Sequence, residues 1–128
     1  MHLLLDTHIA LWALVGSSRL GAAAQTLIED KANEIFVSSA SVWEISIKYA
    51  LGRCDMPISG SRAAELFRLA GYRELSLTWS HAALLETLPA LHGDPFDRIL
   101  IAQSLAEPMR LLSRDAVLAA YGPMVLPV

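Results

Sequence analysis

The sequence predicts an α/β fold, one parallel sheet with helices packed on both of its faces. Three observations carry that expectation. Short, compact apolar runs alternate along the chain with segments of helical periodicity, the pattern of strand–helix–strand units. The 128 residues suffice for one ordinary core and are too few for two. No internal repeat, low-complexity tract, charge block or linker interrupts them.

In order, residues 2–5 form a compact apolar run that ends at Asp6 and reads as a buried strand. A short apolar helix is expected over 9–15, stopped near Gly16, Ser17 and Ser18. Residues 22–31 read as a helix with Leu27 and Ile28 on its inner face, and Ile35, Phe36 and Val37 as the second strand. The next helix is expected over 41–51, with Val42, Ile45 and Tyr49 at helical spacing and Gly52 as its stop. A turn at 57–60, a helix over 61–70 ended by Gly71, and a third strand over 73–77 follow. Residues 79–86 read as helical and 88–93 as a loop. Pro95 opens a strong helix that runs to Ala106. Leu111 and Leu112 mark a fourth strand, 116–121 a short helix and 124–126 a last strand.

Composition limits the function classes. Hydrophobic residues make up 54% and charged residues 18% of the chain, enough apolar surface to offset the entropy of ordering and to exclude a disordered protein. A mean hydropathy of +0.42 hints that some apolar surface is covered by a partner or a second copy. No stretch reaches the roughly 18 unbroken apolar residues of a membrane helix. The opening MHLLLDTHIALWALVG lacks the basic start of a signal peptide and is interrupted by Asp6 and His8, so it reads as strand and helix. The single cysteine, Cys54, excludes an intrachain disulfide and a cysteine-rich metal site, and fits a reducing cytoplasm. The net charge of −3 runs against the basic surplus usual in nucleic-acid binders. Eight of the ten basic residues are nevertheless Arg, the side chain suited to bidentate phosphate contact.

Ligands of a parallel sheet sit beyond the carboxyl ends of its strands. Asp6 directly follows the first expected strand and Asp115 the fourth, while Glu44 and Asp97 are each expected in the first turn of a helix after a strand or loop. All four can face one edge of the sheet. Each also has a plainer reading. Asp6 suits a turn or an N-cap. Glu44 sits in Ser41-Val42-Trp43-Glu44, the spacing of a capping box, with Lys48 four residues on; Ser38 and Ser39 are alternative caps that would release it. In His92-Gly93-Asp94-Pro95-Phe96-Asp97-Arg98, Pro95 at the first helical position makes Asp94 the N-cap and leaves Asp97 at the third without a capping duty. An acid beside Phe96 and ahead of Ile99, Leu100 and Ile101 is partly enclosed, and its burial calls for a metal or for a cation such as Arg98. Ser113 or Asp115 suits a cap of the short helix that follows.

Acids converging on one site resist ionising together, and a bound cation removes the conflict. Oxygen-only ligands favour Mg²⁺ or Mn²⁺ over zinc. The four histidines, His2, His8, His81 and His92, lack zinc-site spacing and read as packing or surface residues. No dinucleotide fingerprint, P-loop or serine nucleophile elbow occurs, and Cys54 has no evident paired base.

The sequence resembles the PIN domain family, and within it the VapC toxins of bacterial and archaeal toxin–antitoxin modules. The resemblance rests on LLLDTHIALW at residues 3–12, SSASVWEISIKYALGR at 38–53, HGDPFDRILIAQS at 92–104 and LLSRD at 111–115, in matching order and spacing over nearly the whole chain. It implies a five-stranded parallel sheet flanked by helices, and a Mg²⁺- or Mn²⁺-dependent ribonuclease site whose catalytic, metal-holding acids are Asp6, Glu44, Asp97 and Asp115. Asp97 is preferred to Asp94 because Asp97 to Ala102 keeps the family's spacing. Asp6 and Asp97 would bind the metal directly, with Glu44 and Asp115 completing the shell or acting through water. One or two ions would lower the pKa of a water and neutralise charge on the phosphate during in-line displacement. Ser38 and Ser113 would orient carboxylates, Ser113 standing where the family often has Thr. Lys48 and Arg98 are candidates for holding the phosphate or balancing the acids, with an ordinary ion pair the plainer reading for both. The resemblance further implies an RNA substrate, a homodimer and a VapB antitoxin lying in a groove made by the early helices. Trp12 and Leu14 are candidates to line that groove, Leu14 fitting the core better. Two other readings use the same residues: a metal-dependent phosphatase or DNA nuclease, and a non-catalytic binding module in which the acids are caps and ion pairs.

Overall fold

The computed structural model describes residues 1–54 and 56–128. Five strands, β1 (His2–Leu5), β2 (Glu34–Ser38), β3 (Arg73–Leu75), β4 (Arg110–Ser113) and β5 (Val125–Pro127), form one all-parallel sheet in the order β3-β2-β1-β4-β5. Side chains alternate across a strand, so Leu3 and Leu5 enter one core and Leu4 the other. Helices α1 (Thr7–Val15), α2 (Ala22–Glu29), α3 (Ser39–Ala50) and α4 (Gly60–Leu69) cover the first face, where Ile9, Ala10, Ile45 and Phe67 pack with Leu3 and Leu5. On the other face, α6 (Pro95–Ala106) brings Leu100 and Ile101 against Leu4 and Leu111, and α5 (Trp79–Leu84) leans on α6 through buried His81 and Gln103. With Leu3, Leu4 and Leu5 all fully buried, β1 is covered on both faces, as the run of leucines requires. Among the described residues no helix is long and apolar enough to cross a membrane.

The order of the strands creates the site. The chain builds from β1 outward through β2 to β3, then returns to add β4 on the other side of β1. The connections leaving β1 and leaving β4 therefore diverge, and the crevice beyond their carboxyl ends is the switch point at which open α/β sheets bind ligands. The Asp6 N–H donates to Leu112 O at 3.1 Å, which sets Asp6 beside the end of β4.

Most element ends fall within a residue or two of expectation, and three differences matter. Helix α3 starts at Ser39, not at residue 41, because Ser38 caps it and accepts from the Ala40 N–H at 3.0 Å. Glu44 thus stands in the second turn, and neither the capping-box reading nor the expected first-turn position holds. Strand β3 stops at Leu75, since the Leu77 N–H leaves the ladder for Ser39 Oγ at 3.0 Å. The expected helix over 116–121 is a 3-10 turn over Leu118–Tyr121.

Two glycines serve the packing. Gly16 ends α1 in the left-handed region at φ 62° and donates its N–H to Trp12 O. Gly60 lets α4 approach α3: a Cβ there would lie 1.7 Å from Ser46 Oγ and 3.1 Å from Val42 O. Gly60→Ala must expel the Ser46 hydroxyl from its bond to Val42 O and still crowds the backbone. We expect a loss of about 1–3 kcal/mol, read as a lower urea midpoint at unchanged slope. An unchanged midpoint would show that the helices part without strain.

Candidate metal centre

Asp6 follows β1 and caps α1, its Oδ1 accepting from the Ile9 N–H at 2.8 Å. It is 8% exposed, and burial raises its pKa; hydrogen bonds from Ser113 and Ile9 oppose the rise and the Glu44 charge adds to it. Glu44 is 3% exposed. Its Oε1 accepts from Thr7 Oγ1 at 2.7 Å and its Oε2 takes Lys48 Nζ at 2.5 Å. The Thr7 hydroxyl has one proton and gives it to Glu44, so Ser41 Oγ, 3.0 Å away, is left to donate to Thr7.

On α6 the cap and the free acid separate as expected. Asp94 Oδ1 accepts from the N–H groups of Phe96 (2.8 Å) and Asp97 (3.4 Å), leaving the Asp97 carboxyl uncommitted at the third helical position. Burial first, then the charges of Asp94 and Asp6, with Glu44 contributing, push Asp97 up to about 7 against the pull of His92. Asp115 accepts from the Val117 N–H at 2.9 Å through Oδ1 and from His92 Nε2 at 2.9 Å through Oδ2, and the His92 bond holds its pKa low. His92 Nε2 also lies 3.4 Å from Asp97 Oδ2. One donor atom each of His92, Asp97 and Asp115 falls within 4.8 Å of the others, the one such grouping among the described residues.

The four expected acids thus gather around the ends of β1 and β4, with Ser113 on Asp6 and Lys48 on Glu44. Two expected companions do not face them. Arg98 turns its Nη2 to Leu88 O at 3.4 Å, buries Nε without a partner, and forms no ion pair with any of the four. Ser38 is fully buried and spends its Oγ on capping α3, with no bond to a carboxylate among the described residues. Trp12 and Leu14, both on α1 and both partly buried, pack against the core, and the Trp12 ring lies 5.6 Å from the Arg114 guanidinium and 5.8 Å from the His8 ring.

Two participants escaped the sequence reading. His92 lacks the spacing of a histidine metal site, yet it opens the segment that carries Asp97. Thr7 follows Asp6 directly, and its hydroxyl on the first turn of α1 was the available signal.

The donor set fits a hard divalent ion: Asp6, Glu44, Asp97 and Asp115 offer oxygen only, and an acid whose pKa is raised to about 7 by burial and by its acidic neighbours is the conflict that a cation resolves. The profile of the PIN domain family matches residues 3–122. The chain belongs to the PIN domain family. This PIN domain is 32% identical over 120 residues to Ribonuclease VapC22 of Mycobacterium tuberculosis (strain ATCC 25618 / H37Rv), covering 92% of this chain and 90% of that protein. It is 37% identical over 60 residues to Ribonuclease VapC16 of the same organism, across 46% of this chain and 43% of the other. Its fold is shared with VapBC2 from Rickettsia felis, solved bound to a promoter DNA fragment (TM-score 0.69, 14% identity, 100% and 98% of the two chains). A toxin–antitoxin complex from Klebsiella pneumoniae shares it too (TM-score 0.65, 18% identity, 96% and 94%).

Proposed function

We propose that this PIN domain is a Mg²⁺- or Mn²⁺-dependent endoribonuclease and the toxin of a toxin–antitoxin pair, acting in the cytoplasm. The observation that carries the reading is Asp97, an acid with no capping duty that burial and three neighbouring acids hold near pH 7 at the switch point of the sheet. A similarity of 32% along nearly the whole chain to a ribonuclease supports RNA as the substrate. Asp6, Glu44, Asp97 and Asp115 would hold the ion, which supplies an activated water and charge neutralisation at the phosphate. Thr7 and Lys48 fix Glu44, and Ser113 fixes Asp6.

A VapB-type antitoxin is proposed as partner, with a homodimer as the working assembly. The groove beside α1 supports the first: His8, Leu11, Trp12, Val15 and Arg19 line a concavity of about 230 Å³ that offers apolar contact and a cation together. The test is cleavage of RNA, single-stranded DNA and a phosphomonoester side by side with Mn²⁺, with and without EDTA. RNA cleavage that EDTA abolishes and Asp6→Asn removes is expected. Cleavage that survives either, or a preference for DNA or the monoester, would overturn the reading.

A further inference from the structure

His92 has four polar contacts, one of them Nε2 to Asp97 Oδ2 at 3.4 Å, and the polarities of those on its ring allow only one arrangement. Its Nδ1 lies 2.9 Å from the Asp94 N, a group that only donates. Its Nε2 lies 2.9 Å from Asp115 Oδ2, a carboxylate that only accepts. Its own backbone N–H donates to Tyr121 Oη at 3.1 Å, which ties the backbone at residue 92 to the turn beyond Asp115. A neutral imidazole has one bare nitrogen and one N–H. The bare nitrogen must be Nδ1, and the proton must sit on Nε2.

A histidine that binds a metal has the reverse arrangement. Its ligating nitrogen is bare and the other N–H donates to a carbonyl or carboxylate. Here the nitrogen that faces the acids carries the proton, and the one that faces away meets a donor. Freeing Nε2 for a metal would set an Nδ1 proton against the Asp94 N–H. We therefore propose that His92, although it lies within the cluster of possible ligands, is a positioning residue and not a ligand. The Asp94 N–H sets its tautomer, and its Nε2–H holds the Asp115 carboxylate beside Asp97. The ring thus links the cap of α6 to the segment after β4, and leaves the ion an all-oxygen set. The role given to Asp97 and Asp115 rests on the metal-nuclease reading; the tautomer does not.

The two nitrogens can be tested separately. His92→Gln keeps an N–H near the Nε2 position and lacks the acceptor; His92→Asn keeps an acceptor near Nδ1 and cannot reach Asp115. Mn²⁺ affinity, measured by calorimetry without RNA, should fall within about threefold for Gln and by about 10- to 100-fold for Asn. Equal losses, or no loss for Asn, would overturn the proposal. Should both variants fail to fold, long-range ¹H–¹⁵N spectra of the wild-type histidine rings at pH 8 decide. A bare Nδ1 and protonated Nε2, unchanged on saturation with Mg²⁺, is expected. An Nδ1–H tautomer, a doubly protonated ring, or loss of the Nε2 proton when Mg²⁺ binds would overturn it. Failure of the wild type to bind Mn²⁺ overturns both readings, whereas binding without RNA cleavage overturns the nuclease reading alone.

Discussion

Asp97→Asn is expected to lower metal-dependent RNA cleavage by at least about a hundredfold while making the metal-free protein more stable above neutral pH. The first effect follows because a ligand contributes more than the groups that merely orient ligands, whose loss already costs about 10- to 100-fold. The second follows from the proton. Folding raises the Asp97 pKa from 3.8 to about 7, so the folded chain holds that proton more tightly than the unfolded one. The resulting stability is complete at low pH, below the unfolded value, and is lost as pH rises towards and past about 7. The gap, at about 1.4 kcal/mol per pH unit, bounds the cost near 4 kcal/mol, and solvent reaching the partly open side chain brings it to about 1–2 kcal/mol. Asparagine carries no charge and escapes this cost, forgoing about 0.3–1 kcal/mol with the dipole of α6. Urea unfolding in EDTA should show a net gain near 1 kcal/mol at pH 8 that vanishes near pH 4. Wild-type Mn²⁺ affinity should fall as pH drops through about 7, where the proton competes with the ion. An Asp97→Asn protein that is destabilised at pH 8 and still cleaves RNA would return Asp97 to a purely structural part.

The sequence was legible where local chemistry decides. The Asp94–Pro95 pair set the start of α6 and freed Asp97, and the run of leucines set β1. It was ambiguous where several residues serve equally. Ser38, Ser39 and Ser41 are all competent caps, and what selects Ser38 is the pairing of β2 up to that residue, a tertiary fact. That shift of the cap turned Glu44 from a backbone-capping residue into a buried acid held by Thr7, 37 positions away in sequence. His92 was invisible for the same reason, since its carboxylate partner lies 23 positions on and meets it only because β4 pairs with β1. Arg98, adjacent to Asp97 in sequence, is turned away from it by the 100° step of the helix, and its guanidinium goes to Leu88 instead.

Lys48→Met is expected to destabilise the metal-free protein by about 2–3 kcal/mol, several times the worth of an exposed helical pair, about 0.3–0.5 kcal/mol. The difference is burial: the side chains of Lys48 and Glu44 are 18% and 5% exposed, and the Nζ–Oε2 distance is 2.5 Å. Methionine keeps the apolar stem and removes the charge, leaving the Glu44 carboxyl group beside Asp6 and Asp97 without its cation and with the Thr7 hydroxyl as its remaining partner among the described residues. A divalent ion in the centre replaces the missing cation, so saturating Mn²⁺ should shrink the loss, since whatever binds the folded state alone stabilises it. Glu44→Gln removes the charge that Lys48 balances. The double variant should therefore recover most of the stability that Lys48→Met loses, a coupling of about 2 kcal/mol by urea unfolding. The same variant separates the two parts considered for Lys48. A counterion of Glu44 leaves the KM for RNA close to wild type once Mn²⁺ saturates, whereas a phosphate-holding cation raises KM at any metal concentration. A stability loss below about 0.5 kcal/mol would place the pair with ordinary surface ion pairs and leave Glu44 to the metal alone.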